Sequence, residues 1–286
     1  MISVLGGLGA ALAFTVSIMV SARASRLIGA SSTVAGAMAV GLAIGLPVAL
    51  ASAPVPELTP DALGWSALAG VCNVVGLLLT YTAYRIGAVG IISTIASTEG
   101  AIAALFAVLA GEALQPGSGP VLGVIALGVA MAATGGHEEE EGREITRSQA
   151  ARAAALTLCA SVMFGLGLFA AGRVSELLPG AWPILPARVT GVLLVTIPLG
   201  LAGRIRMTRA AAPFVVATGV AEIVGFGAYA IGARDSIAVT SVLTAMFAPF
   251  ATVAAFVFFR ERLGRREILG IVLVASGVIG LGVLQR

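Results

Sequence analysis

The sequence predicts an all-α membrane protein, with ten transmembrane helices arranged as two inverted five-helix repeats. Three observations predict it. The first is composition. Of the 286 residues, 58% are hydrophobic and 11% charged, and the mean hydropathy is +1.04. Soluble domains carry roughly 25% charged residues, so this chain lacks the charge to coat a globule and lipid must cover much of it. The second is the spacing of the apolar runs, which suits about ten spans of roughly 20 residues joined by tight loops. The third is a set of short motifs that recur in the two halves.

The spans fall in order along the chain. The first covers 2–20 and the second 31–52, followed by the Pro-rich acidic loop APVPELTPD. The next three cover 65–84, 89–110 and 119–135. The longest polar stretch, HEEEEGREITRSQ at 137–149, then divides the chain. Five more spans cover 151–171, 181–202, 211–233, 237–259 and 267–284. The domains are therefore a first repeat at 1–135, a charged inter-repeat loop at 136–150 and a second repeat at 151–286. The apolar N-terminus has a small-residue site near Ser21 to Ala24 but no basic n-region, so it reads as the first span and not as a cleaved signal.

The halves repeat in three places. Ala83-Tyr84-Arg85-Ile86-Gly87-Ala88 closes the third span, and Ala228-Tyr229-Ala230-Ile231-Gly232-Ala233 closes the eighth. Glu112 and Leu114 follow the fourth span as Glu261 and Leu263 follow the ninth. Leu122-Gly123-Val124-Ile125 opens the fifth as Leu269-Gly270-Ile271-Val272 opens the tenth. Five is odd, so the second unit must enter the membrane from the opposite side. Inverted repeats of this kind build many secondary transporters, with the binding site at the bilayer midplane.

Every basic residue apart from His137 is arginine. Arg23, Arg26, Arg85, Arg143, Arg147, Arg152, Arg204, Arg206, Arg209, Arg260, Arg262, Arg265 and Arg266 fall on one set of loops. The other set holds Arg173, Arg234 and Arg286 among Glu57, Asp61, Glu112, Glu176 and Asp235. Positive charge marks the cytoplasmic side. The expected location is a bacterial inner membrane, multi-pass, with both termini outside. Arginines at helix ends argue against a nucleic-acid partner. Cys72 and Cys159 have no metal-like or disulfide-like spacing and read as buried thiols.

The recurring motifs resemble those of the drug/metabolite transporter superfamily, specifically its EamA-type ten-helix members. The resemblance rests on the Ala-Tyr pairs, the small polar stretches of the fourth and ninth spans, the glutamate after each, and the following Leu-Gly. Pro249 and Arg188 stand at positions where that family often carries a proline and an arginine. The resemblance implies a transporter; the family's substrates include amino acids, metabolites, drugs and nucleotide sugars. The chain departs from the pattern in two places. Glu99-Gly100 stands where the second half has Ala248-Pro249, and the second span has only small residues where the seventh has Arg188. In the family's familiar members both termini lie inside.

Three charged residues lie at membrane depth: Glu99, Glu222 and Arg188. Intramembrane ionisable groups are costly and usually face a polar pathway. Both glutamates read as proton or cation sites. Arg188 reads as an anion-binding group, as the partner of Glu99 or Glu222, or as a side chain that snorkels to the outer interface. Together the three leave one excess negative charge, so one carboxylate is protonated or a cation completes the set. Asn73, Tyr81, Ser97, Thr98, Thr218 and Pro249 are candidate cavity-lining residues, and Pro249 frees the carbonyl of Ala245. Tyr84 and Tyr229 read as interfacial belt residues, and Glu112 and Glu261 as structural acids near helix N-termini. His137 with Glu138 to Glu141 reads as a solvated charge run and not as a metal site. Few aromatics are expected along the pathway, which disfavours large cations.

The expected function is alternating-access secondary transport of a small organic solute, as an exporter of an amino acid or metabolite in exchange for protons. A metabolite importer or facilitator, or a flippase for a lipid-linked precursor, is the alternative. No ATP motif, cofactor site or catalytic cluster is visible, so the chain does not read as an enzyme. The expected partners are the small-molecule substrate and the lipid bilayer.

Overall fold

The computed structural model describes residues 1–87, 92, 95–114, 116–133, 146–250 and 265–284, and the regular structure among them is entirely helical. Six stretches are long and apolar enough to cross a bilayer: Ile2–Ile28, Ala30–Ser52, Pro60–Ile86, Ser148–Leu177, Trp182–Leu201 and Ala212–Ala233. Shorter apolar helices lie at Glu99–Leu109, Ser118–Met131, Ile237–Phe250 and Ile268–Gly277. His137, Glu138 to Glu141, Ser93, Thr94, Glu261 and Leu263, together with Arg143, Arg260, Arg262 and Arg286, lie outside the described residues.

Local chemistry sets the boundaries. Helix α1 (Ile2–Ile28) and α2 (Ala30–Ser52) are separated by Gly29 alone. Its φ of +88° is open to glycine and strained for other residues. Helix α3 (Pro60–Ile86) starts where Thr59 Oγ1 accepts from Ala62 N at 3.2 Å, with Pro60 in the first turn. The next helices are α4 (Glu99–Leu109) and α5 (Ser118–Ala133). Helix α6 (Arg147–Leu177) opens on a reciprocal cap, in which Gln149 N donates to Thr146 Oγ1 and Thr146 N to Gln149 Oε1.

The seventh span is not a plain helix. A 3-10 turn at Trp182–Ile184 leads into α7 (Leu185–Gly191), then a π-helical segment at Val192–Thr196, then α8 (Ile197–Leu201). Pro198 cannot donate to the preceding turn, which favours this loosened winding. The remaining helices are α9 (Ala212–Ala233), α10 (Ile237–Thr244) and α11 (Arg265–Leu284).

Two expected spans need correction. The stretch 89–110 does not run as one helix, because a turn at Ser97–Thr98 precedes α4. The stretch 237–259 likewise turns at Ala245–Met246 after α10, ahead of Pro249. A break at membrane depth survives only where the freed groups find partners. Ser161 Oγ, from α6, donates to Ile95 O at 2.8 Å at the first break. Thr15 Oγ1, from α1, shares its proton between Ala11 O at 2.8 Å and Phe247 O, just past the second break, at 3.1 Å.

Helix α1 packs most extensively on α9, and α3 on α6. Helix α5 packs on α11, α4 on both α6 and α10, and α2 on both α9 and α7. Large apolar side chains such as Leu5, Leu105, Leu193 and Leu201 point outward, where lipid would cover them. Many of the residues at the helix contacts are Gly, Ala, Ser and Thr, which allow close helix approach. A Cβ on Gly6 would lie 2.6 Å from Gly232 Cα and 2.7 Å from Ala228 O, so α1 and α9 touch backbone to backbone. The Phe14 ring lies against Gly225, and the Phe164 ring against Gly76.

Candidate functional site

One ion pair is buried where α3, α7 and α9 meet. Arg188 Nη1 donates to Glu222 Oε2, and the side chains are 0% and 3% exposed. Tyr81 OH donates to the other carboxylate oxygen at 3.0 Å. Arg188 Nη1 also reaches Met38 Sδ at 3.3 Å. The guanidinium carbon lies 5.1 Å from the centre of the Phe226 ring. A Cβ at Gly41 would come within 2.7 Å of Arg188 Cδ, so a small residue on α2 makes room for the arginine stem. A lone buried charge is expensive, whereas a hydrogen-bonded pair is neutral overall. Arg188 therefore cancels Glu222, which settles which glutamate is its partner. It does not snorkel to an interface.

Glu99 is the carboxyl that Arg188 leaves unpaired. It is the first residue of α4, directly after the Ser97–Thr98 turn, and is 7% exposed. A carboxylate in the first turn is favoured by the helix dipole. Among the described residues no ion pair reaches it.

Glu99 and Glu222 face one cavity of about 90 Å³, counted at water centres. Asn73 and Tyr81 line it as expected, and Thr80 and Tyr84 join them from α3. Asn73 Oδ1 and Thr80 Oγ1 are buried without a hydrogen-bond partner among the described residues, as are Arg188 Nε and Nη2. Four other candidates fall outside the cavity wall. Ser97 is buried near the break, whereas Thr98 is exposed and its hydroxyl donates to Ile95 O at 2.8 Å. Thr218 turns back to donate to Phe214 O at 2.8 Å. Pro249 is buried, two residues beyond the wall residue Phe247.

Several expectations are corrected here. Phe14, Phe164, Phe226 and Phe247, with Tyr81 and Tyr84, line the cavity, so its wall is richer in aromatics than expected. Tyr84 and Tyr229 are fully buried and not belt residues. Tyr229 OH donates to Leu168 O at 2.7 Å and lies 2.9 Å from Ser241 Oγ. Cys72 is buried but Cys159 is exposed, on a face that lipid would cover. Glu112 is structural, as expected, but it caps the distant α10: Ser236 Oγ donates to its Oε1 at 2.6 Å, and Ala238 N to both carboxylate oxygens at 3.2 Å. The aromatic wall left only a faint sequence trace, in which Asn73, Thr80 and Tyr84 share one face of α3 at helical spacing.

No protein-family model matches the chain, and no curated protein matches it. Solved structures do match its fold, 27 chains in all. One of these, described only as "Crystal structure of protein", aligns with a TM-score of 0.72 over 99% of this chain and 96% of its own, at 16% sequence identity. At that identity the likeness speaks for a shared fold alone.

Proposed function

We propose that this protein is a secondary transporter of a small organic solute that works by alternating access, with ten spans in two inverted five-helix repeats of the EamA type. The packing supports the repeat. Exchanging the halves carries the α1–α9 contact onto α6–α3, the α2–α9 contact onto α7–α3, and the α1–α10 contact onto α6–α4. The Phe14–Gly225 contact goes onto Phe164–Gly76 in the same way. The two helix breaks also exchange, each held by a hydroxyl from the first helix of the opposite half.

The observation that carries the transport reading is the cavity shared by Glu99 of the first half and Glu222 of the second. A cavity with room for several water-sized groups and a carboxyl at membrane depth suits a solute pathway far better than a structural core. Glu99 is the exchange site for a proton, because Glu222 is already neutralised by Arg188. The natural direction is export of a metabolite or amino acid, driven by inward proton movement. Import or facilitation uses the same cavity, and a flippase would need a lateral opening to lipid.

The orientation follows from charge. Arg26, Arg85, Arg204 and Arg206 gather at one end, where Arg26 Nε donates to Tyr84 O and Arg206 N to Ser32 Oγ. That end is assigned to the cytoplasm of a bacterial cell, leaving both termini outside.

The test is proton release from purified protein in detergent on addition of amino acids, amines and organic acids. The expected outcome is release with at least one class, lost in Glu99→Gln. Binding without release, and no solute flux in proteoliposomes under a pH gradient, would overturn the proposal.

A further inference from the structure

We propose that the cavity selects a protonated amine that retains N–H bonds, a primary ammonium or a guanidinium on a compact aromatic or apolar body. The inference rests on the transport reading only for the idea that the cavity's ligand is carried. The binding chemistry stands on the cavity itself.

Charge narrows the choice first. The only charged side chains on the wall, among the described residues, are Glu99 and Glu222. Glu222 is tied to Arg188 and Tyr81. Arg188 lies behind it, 0% exposed, and presents no cationic surface to a ligand. A carboxylate-bearing solute would therefore meet a further carboxyl group and no cation. A cation would meet Glu99, which has no ion-pair partner among the described residues and gains one from it.

The wall narrows it further. Phe14, Phe164, Phe226 and Phe247 present rings to the same space. Aromatic faces attract cations and also bury an apolar body. Space for on the order of half a dozen water-sized groups suits a small amine and excludes a bulky multi-ring cation.

The N–H requirement comes from α3. Asn73 is 6% exposed and Thr80 4%, and Asn73 Oδ1 and Thr80 Oγ1 have no hydrogen-bond partner among the described residues. Buried polar atoms are normally satisfied, and leaving one unsatisfied is costly. Asn73 and Thr80 stand two turns apart on α3, roughly 10 Å along its axis, so a ligand that donates N–H bonds pairs with Glu99 and with whichever of these oxygens lies beside its nitrogen. A quaternary ammonium keeps the charge but offers no donor, so it leaves them bare.

The experiment measures binding by thermal shift and calorimetry in detergent at pH 7.5. It uses four ligands with one common body: 2-phenylethylamine, its N,N,N-trimethyl derivative, 2-phenylethanol and phenylalanine. The expected order puts the primary amine roughly tenfold or more ahead of each of the others. Asn73→Leu should close most of the gap between the primary and trimethylated amines, while Asn73→Asp should widen it. If Asn73→Leu does not fold, the wild-type series and Asn73→Asp decide. Equal or tighter binding of phenylalanine, the alcohol or the trimethylated amine overturns the proposal. So does a gap unchanged in folded Asn73→Leu, or no binding of the primary amine. Proteoliposome flux separates the two readings. Amine binding without flux sinks the transporter and keeps the site, whereas flux of an amino acid with no amine binding does the reverse.

Discussion

Replacing Arg188 with methionine would remove the buried charge while keeping an apolar stem against Gly41 and Phe226. Glu222 would then keep Tyr81 as its hydrogen-bond donor but lose its counter-charge. With side chains 0% and 3% exposed, screening by water is absent. Breaking a buried pair on one side costs about 3–5 kcal/mol, whereas removing both partners costs much less. Arg188→Met should therefore lose about 4 kcal/mol, and Arg188→Met with Glu222→Gln should recover most of it. For a chain of this size that is on the order of a 10 °C drop in Tm. The assay is a double-mutant cycle by thermal unfolding in detergent, with SDS unfolding as a second probe. A single mutant within about 1 kcal/mol of wild type would refute the reasoning. So would a double mutant as unstable as the sum of the singles, since both results mean the charges do not depend on one another.

Three other predictions concern the packing and the caps. Gly6→Val should cost about 1–3 kcal/mol, because the new side chain meets the α9 backbone at Gly232 and Ala228, which cannot move aside; thermal unfolding reads it directly. Glu112→Ala should cost about 1 kcal/mol by leaving Ala238 N and the hydroxyl of the N-cap Ser236 without their acceptor, with Glu112→Gln retaining part of it. Asp235 accepts from Ser3 N at 3.1 Å and faces the N-terminal ammonium, and the hydrogen bond from Ser3 leads the causes that hold its carboxyl below the usual range. Its contribution is present above the ordinary aspartate value near ~4 and is lost as pH falls through the lowered folded value. Because the pair is half exposed, the effect is small. Asp235→Asn should flatten the pH dependence of Tm in that acid range, and an unchanged profile would remove Asp235 from the account.

What the sequence determined is depth. Composition required lipid, apolar length located the spans, and position within a span marked Glu99, Glu222 and Arg188 as unusual. Those are one-dimensional properties, set by how far a residue lies from the end of its own helix. Direction and partnership are not. Arg188 and Glu222 are 34 residues apart on helices joined by a loop, and their spacing says nothing of which face each helix turns inward. Only the packing of α7 on α3, and of α7 and α9 on the α2 they share, decided that Arg188 neutralises Glu222 and leaves Glu99 to the cavity. The same holds for Tyr84 and Tyr229, whose places near helix ends suggested an interface, though neighbouring helices bury both and Leu168 and Ser241 enclose the Tyr229 hydroxyl. The breaks at Ser97–Thr98 and Ala245–Met246 depend on hydroxyls supplied by other helices, Ser161 and Thr15. Pro249 marks the second break in the sequence, but only the assembled bundle could reveal the cavity that both breaks border.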